Sequence, residues 1–366
     1  MLSAGRWRDP LAVGIAIAGL VFLVAALYIS RTNVAWGYDY AAYHAAAQRI
    51  LETGTPYQPE TLAGPFRPGP LGLYLYSPPP AVFFTPLTGL PRETATLVWL
   101  ALRLAILGLT CALMPVSWPV RLFMFGIAGL SWPVVRDSVL GNISLVVTFF
   151  AVLGWRFLDR PAGGAAVAAA VALRPTMALV LGWWLIRGHW RPLVGFLAAG
   201  VAMLLLTLPF VGLSGWLDYV AVLRNVSFEG VVRNLSLGGF ATSLGWPPWA
   251  AGVAQAAGYA AAINAVLLSL RRDRELSYVV TVVATLLLSP LLWDHYLTHL
   301  LVPAAFLVAR GQWWGAGVPM LCWLPETTFP LVALVALVAP FLAPDRGERA
   351  GTFLDRLPTQ PSAAPT

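Results

Sequence analysis

Residues 162–186 read AGGAAVAAAVALRPTMALVLGWWLI, and the one charged residue among them, Arg174, stands directly before Pro175. So continuous an apolar run belongs to a buried or lipid-facing helix, and a proline at its middle ends or kinks that helix. Arginines flank both ends, with Arg156 and Arg160 before the run and Arg187 and Arg191 after it. Loops that hold arginine keep to the cytoplasmic side of a membrane, so a single span here would break the alternation of sides. The stretch therefore predicts a helical hairpin, two short helices turning at Arg174-Pro175.

Outward from it the same pattern recurs. Apolar segments occupy residues 11–29, 95–113, 122–135, 139–155, 192–210, 249–270, 276–292, 296–309, 313–324 and 329–342. With the hairpin they predict an all-α polytopic membrane protein of about 12 transmembrane helices, residues 1–343 forming one domain. The first run follows Arg6 and Arg8 as a secretory signal would, yet it lacks a small-residue cleavage site and reads as a retained span. Of 366 residues, 58% are hydrophobic and 11% charged, far from the roughly one-quarter charged composition of soluble domains. All 23 basic residues are arginine, and 14 of them fall in alternate loops that become cytoplasmic, together with both termini. They come as ones, twos and threes between apolar runs, which excludes a nucleic-acid recognition face. Cys111 and Cys322 lie apart in apolar stretches and form neither a disulfide framework nor a metal site.

Two long outer loops are expected, residues 30–92 and 212–248. The first opens with YDYAAYHAAAQRILE, residues 38–52, whose aromatic and apolar positions recur at helical spacing, predicting a juxtamembrane helix. Pro56, Pro59, Pro65, Pro68, Pro70 and the prolines at 78–80 predict a fixed extended path after it. The tail from about Pro344 is rich in Pro, Ala, Thr and charge, and reads as a disordered cytoplasmic end covering residues 344–366. No internal repeat is present.

In so apolar a chain a polar side chain at membrane depth is costly unless paired or wetted, which makes each one a functional candidate. On the outer side these are Asp39, His44, Arg136, Asp137, Asn142, Arg174, Asn234, Asp294, His295 and His299. Asp39 also suits a helix N-terminus as a simple cap. Asp294 and His295, beside Trp293, allow a second cap with an interfacial tryptophan. His295 and His299 are four apart, a spacing that puts both on one helix face toward a cavity. The same spacing suits a metal, but the companion glutamate of an HExxH pair is missing. Arg174 needs a carboxylate, a phosphate or water, and Arg103, equally deep, calls for a structural salt bridge or snorkelling.

Taken in order, GYDYAAYHAAAQRILETGTPY (37–57), LYSPPPAVFFTPLTGLP (75–91), GNISLVVTFF (141–150), ALRPTMALVL (172–181), RNLSLGGF (233–240) and SPLLWDHYLTHLLVP (289–303) resemble glycosyltransferase family 87, within the GT-C class of membrane glycosyltransferases of actinobacteria. The resemblance implies a GT-C-like fold, an extracytoplasmic active site and Asp39 as catalytic base. It also implies a polyprenyl-monophosphate sugar as donor, mannose first and arabinofuranose as the alternative. The acceptor would be a hydroxyl of a glycolipid or lipoglycan, and membrane lipids the surroundings. Arg174 and His295 would hold the donor phosphate, with Asp294, Asn142, Asn234, Tyr43, His44 and His299 as further substrate-binding positions. No cofactor or metal is implied, and no DxD signature is present. The family usually has lysine where Arg174 stands and glutamine where Asn142 stands; both exchanges keep the polar role and change the geometry. A secondary transporter, in which broken helices form the substrate path, is the rival reading. The absence of related halves and the long outer loop opening on an aspartate weigh against it.

Overall fold

The structure is a computed structural model, described here for residues 8–64, 73–225 and 233–344. Among the described residues the chain is helical and contains no strand. Sixteen α-helices follow one another: α1 (Arg8–Ser30), α2 (Tyr38–Thr53), α3 (Pro59–Ala63), α4 (Pro78–Phe84), α5 (Arg92–Leu113), α6 (Trp118–Leu130), α7 (Trp132–Leu140), α8 (Ser144–Arg156), α9 (Pro161–Leu173), α10 (Leu179–Arg187), α11 (Trp190–Asn225), α12 (Leu237–Ser243), α13 (Pro248–Ser269), α14 (Arg274–Leu287), α15 (Leu301–Ala309) and α16 (Phe329–Val338).

Among the described residues four helices are long and apolar enough to cross a membrane: Pro10–Ser30 within α1, α5, α11 and α13. The α6–α7 pair, bent by 62° between its halves, makes a fifth if it is counted as one span. The other apolar segments among the described residues fold as shorter pieces, so of the about twelve membrane helices expected four or five are long enough to span by themselves. A 13-residue helix such as α9 reaches only about 20 Å, short of the roughly 30 Å hydrocarbon core. Residues 313–324 are two short 3-10 turns, Trp313–Gly317 and Pro319–Trp323.

The hairpin geometry follows the sequence closely. Helix α9 ends at Leu173, Pro175–Ala178 forms one 3-10 turn, and α10 carries the chain back. The return is tied at the base, where Trp184 Nε1 donates to the Leu158 carbonyl at 3.2 Å and His189 Nδ1 meets Asp159 at 2.9 Å.

Two loop expectations need correction. Prolines at 59 and 78 do not hold extended chain; each opens a short helix, α3 and α4, because proline has no N–H to lose in a first turn and its φ is already helical. The second loop does not begin at residue 212 as irregular chain. Helix α11 passes Pro209, breaks at Gly212 (φ 60°, ψ −175°), which a side chain would not readily adopt, and resumes to Asn225. Pro65, Pro68, Pro70 and the tail beyond Pro344 lie outside the described residues.

Burial grades the elements. Every residue of α14 from Leu276 to Leu287 is buried, as is α15 through Val308, so these two form the centre. Helices α1, α11 and α13 lie outside and turn large apolar side chains outward, Leu11, Ile17, Leu206, Leu217 and Val253 among them. An apolar outer surface on such a scale is a lipid-facing one. A second, aromatic cluster of Tyr40, Tyr43, Tyr57, Tyr74, Phe84 and Trp99 seats α2 against α4 and α5. Trp99 Nε1 donates to the Gly141 carbonyl at 2.8 Å, which joins this cluster to the turn between α7 and α8.

Candidate active site

Asn142 is where the site begins. Helix α7 ends at Gly141, whose φ of +71° is a left-handed cap and whose missing Cβ leaves room for Tyr40. The turn presents Asn142 with its backbone N–H bonded to the Asp137 carbonyl at 3.0 Å. Its Oδ1 accepts from both the N–H and the hydroxyl of Ser144, each at 2.8 Å, so the amide has one orientation. Its Nδ2 then donates to Asp39 Oδ2 at 2.8 Å.

Asp39 sits in the first turn of α2, behind Gly37. Asp39 is the acidic residue of that first turn, where the helix dipole favours a negative charge, while the N-cap position is Gly37, which has no side chain to cap with. Gly37 N–H instead bonds Val139 C=O at 2.8 Å, pinning the helix entry to α7. With Oδ2 held by Asn142, Oδ1 makes no hydrogen bond among the described residues. Burial raises the Asp39 pKa above its ordinary value, against the charge of His295 and the Asn142 hydrogen bond, which lower it. A carboxylate so placed takes up a proton more readily than one in water.

Arg174 follows the last residue of α9, and its side chain is only 5% exposed. Nη2 donates to Ser144 Oγ at 2.8 Å, and the guanidinium lies 3.6 Å from the centre of the Tyr296 ring. No carboxylate pairs with it among the described residues. A buried, permanently charged group that has a ring and a hydroxyl but no paired carboxylate can receive an anion.

Asp294 opens the 3-10 segment Asp294–Leu300. Its Oδ2 receives Trp132 Nε1 at 3.3 Å and pairs with Arg136 Nε at 3.3 Å, while Oδ1 receives the His295 N–H at 2.8 Å and lies 3.2 Å from His295 Nδ1. The carboxylate thus orients the imidazole, which also stacks on Trp293. Nε2 of His295 meets no partner among the described residues.

These groups meet in one cavity of about 530 Å³, the size of a small-molecule site. Asp39, Tyr43, Asn142, Arg174, Asp294 and His295 line it, and so do Arg136, Tyr76, Tyr296 and a set of leucines. Three expected positions are not in its wall. His299 is fully buried behind Arg174, with Nδ1 3.1 Å from Thr148 Oγ1 and Nε2 3.5 Å from Arg174 Nη1. Arginine can only donate, so that ring is neutral with its proton on Nδ1. The two histidines do not share a face, because the segment is a 3-10 helix in which residues four apart point about 120° from one another. His44 is buried in α2 against Tyr40. Asn234 is a stitch between loops: Nδ2 donates to Pro290 C=O at 2.8 Å, and Oδ1 accepts from Ser236 and Leu292 backbone N–H.

The structure adds residues that sequence reasoning passed over. Tyr76 hydroxyl lies 3.1 Å from that of Tyr43 at the cavity wall, and Ser144 joins Arg174 to Asn142. Neither hydroxyl carries a charge cost that would single it out in the sequence. Asp137 belongs to the interior, where it is the ion-pair partner of Arg103.

Against known families, the model of glycosyltransferase family 87 matches residues 74–290. The chain belongs to glycosyltransferase family 87. It is therefore a membrane glycosyltransferase, handling a sugar donor and an acceptor. No curated protein and no solved structure matches it. The family match contains Tyr76, Asn142, Ser144 and Arg174, whereas Asp39, Asp294 and His295 enter the site through the geometry described above.

Proposed function

We propose that this family 87 member transfers mannose from a polyprenyl-monophosphate donor to a hydroxyl of a glycolipid or lipoglycan, on the extracytoplasmic side and with inversion. One observation carries the reading: a line of hydrogen bonds runs from Arg174 through Ser144 and Asn142 to Asp39, joining an unpaired cation and a carboxylate along one wall. Those are the two functions the reaction asks for. The acceptor oxygen forms its bond to the anomeric carbon and gives its proton to Asp39 Oδ1. The bond from that carbon to the phosphate oxygen breaks, and the polyprenyl phosphate leaves with the electron pair. A phosphate needs no general acid to depart, but its charge is stabilised by Arg174 and by His295 once Nε2 carries a proton. Direct displacement turns a β-linked donor into an α-linked product.

The leucines of the wall suit the apolar part of a lipid donor, and the tyrosines 43, 76 and 296 suit a sugar's face and hydroxyls. The test is transfer of radiolabel from polyprenyl-phosphate mannose into lipid by membranes carrying wild type or Asp39→Asn. Mannose transfer that disappears in the variant supports donor and base together. Transfer only from polyprenyl-phosphate arabinofuranose, run in parallel, keeps the mechanism and replaces the sugar. Undiminished transfer by Asp39→Asn overturns the base.

A further inference from the structure

A second cavity, of about 510 Å³, lies at the other end of the same helices. Helix α8 runs from beside Asn142 to Arg156, α9 from Arg160 to Arg174, and α14 from Arg274 toward Ser289; the chain from Asp294 through α15 ends at Arg310. Each of the four joins a wall of the first cavity to a wall of the second. The second cavity takes no part in the proposed chemistry.

Its carboxylates are engaged within the protein. Asp159 pairs with His189 at 2.9 Å and with Arg274 at 2.7 Å, and Arg310 meets Asp273 at 3.0 Å and Glu275 at 3.2 Å. Two guanidiniums in the lining have no such partner among the described residues. Arg156, exposed, reaches the Leu113 carbonyl at 3.3 Å and lies 5.9 Å from the centre of the Phe157 ring, and the exposed Arg160 side chain makes no hydrogen bond or ion pair among the described residues. A separate observation points the same way: Trp155 is 4% exposed, forms part of the wall, and its buried Nε1–H has no acceptor among the described residues. A buried donor left empty costs free energy that an incoming acceptor recovers. Two guanidiniums without a carboxylate partner and one indole N–H without an acceptor suit a phosphate oxyanion.

The surroundings favour a lipid as the source of that phosphate. Trp118, Trp190, Trp313 and Trp314, at 61, 61, 43 and 46% exposed, flank this end of the bundle. Tryptophan gathers at the depth of lipid headgroups. We propose that the second cavity binds the phosphate of an anionic lipid headgroup, held by Arg156, Arg160 and the Trp155 indole N–H.

The experiment uses the full chain in phosphatidylcholine nanodiscs with and without phosphatidylglycerol, counting retained lipid by native mass spectrometry. Wild type is expected to retain phosphatidylglycerol over phosphatidylcholine. In the Arg156→Gln/Arg160→Gln variant that preference falls about tenfold or more, the loss of charge-assisted bonds. Trp155→Phe, which keeps the packing and removes the N–H, lowers it by a smaller factor, and Arg31→Gln leaves it unchanged. Equal retention by wild type and the double variant, or no preference in wild type, overturns the site. If the double variant does not fold, Trp155→Phe carries the same comparison, and unaltered preference there overturns the site. Inorganic phosphate added to phosphatidylcholine discs is the other arm. Thermal stabilisation by it that matches the phosphatidylglycerol effect overturns the lipid as the source and leaves a free-phosphate site.

Discussion

Asp39 holds two properties in opposition. Burial raises its pKa, so the folded protein binds that proton more tightly than the unfolded chain, in which an aspartate titrates near about 3.9. Stability conferred by the neutral form is present at low pH and lost as pH rises through the raised folded value. Activity has the opposite slope, because only the carboxylate accepts a proton from the acceptor. Asp39→Asn should therefore melt at the same temperature as wild type in acid and above it near neutrality, while transfer falls by about 10²- to 10⁴-fold, the usual range for a lost general base. Melting curves in detergent across pH, paired with the transfer assay, check both; identical melting at every pH would remove the burial argument. Arg174→Ala removes the anion's partner and should cost about 1.5–3 kcal/mol in kcat/KM for the donor, roughly 10- to 150-fold, with the acceptor's KM unmoved. Donor titrations separate the two, and a change confined to the acceptor contradicts a phosphate role.

Between elements, the pair Arg103–Asp137 ties α5 to α7 directly behind the site. Both side chains are buried, at 1% and 0% exposed, so removing one leaves a charge without water or a partner. Arg103→Ala is expected to lose about 3–5 kcal/mol of stability, and Arg103→Met/Asp137→Leu to recover most of it, since an apolar pair of similar volume often replaces a buried ion pair without loss. Chemical denaturation of the three proteins decides this; a double variant as unstable as the single one would mean the pair holds more than its own charges. The turn from α7 to α8 is equally exacting. Gly141→Ala forces a side chain into a left-handed position 2.8 Å from the Tyr40 Cβ, and Asn142 must shift with it. Loss of transfer in a folded Gly141→Ala protein is the expected result, because Asn142 would no longer hold Asp39; full activity would detach Asn142 from the base.

Across the whole molecule, stability is graded from the buried α14 and α15 outward to α1, α11 and α13. Amides protected by packing exchange only through the largest openings. Hydrogen exchange in nanodiscs should find α14 slowest and the 3-10 turns of residues 313–328 fastest, and the reverse order would contradict a core built on α14. The same architecture places one cavity at each end of α8, α9 and α14, so these helices connect the proposed reaction site with the proposed lipid site.

Much of this was legible in the chain alone. Apolar runs show in the sequence because lipid or a helical core is the one medium that accepts them, and Arg174-Pro175 shows as a turn because proline cannot continue a helix. Ordered motifs carried the family. Burial cost marked Asp39, Arg174 and His295, since charge in an apolar chain must be used. What distinguished cavity wall from interior was tertiary. Asp39, Asn142, Arg174 and His295 are far apart in the chain and meet only because α2, α8, α9 and the Asp294–Leu300 segment pack together. Spacing joined His295 to His299, but the backbone formed a 3-10 helix, sending one toward the cavity and the other behind Arg174. Asn234 resembled a ligand and became a loop stitch, because its amide was saturated by backbone groups at 290 and 292 that only the fold brings near. The sequence determined which residues are expensive to bury; the tertiary structure decided which of them face an open space, because that depends on the packing of distant helices and not on spacing along the chain.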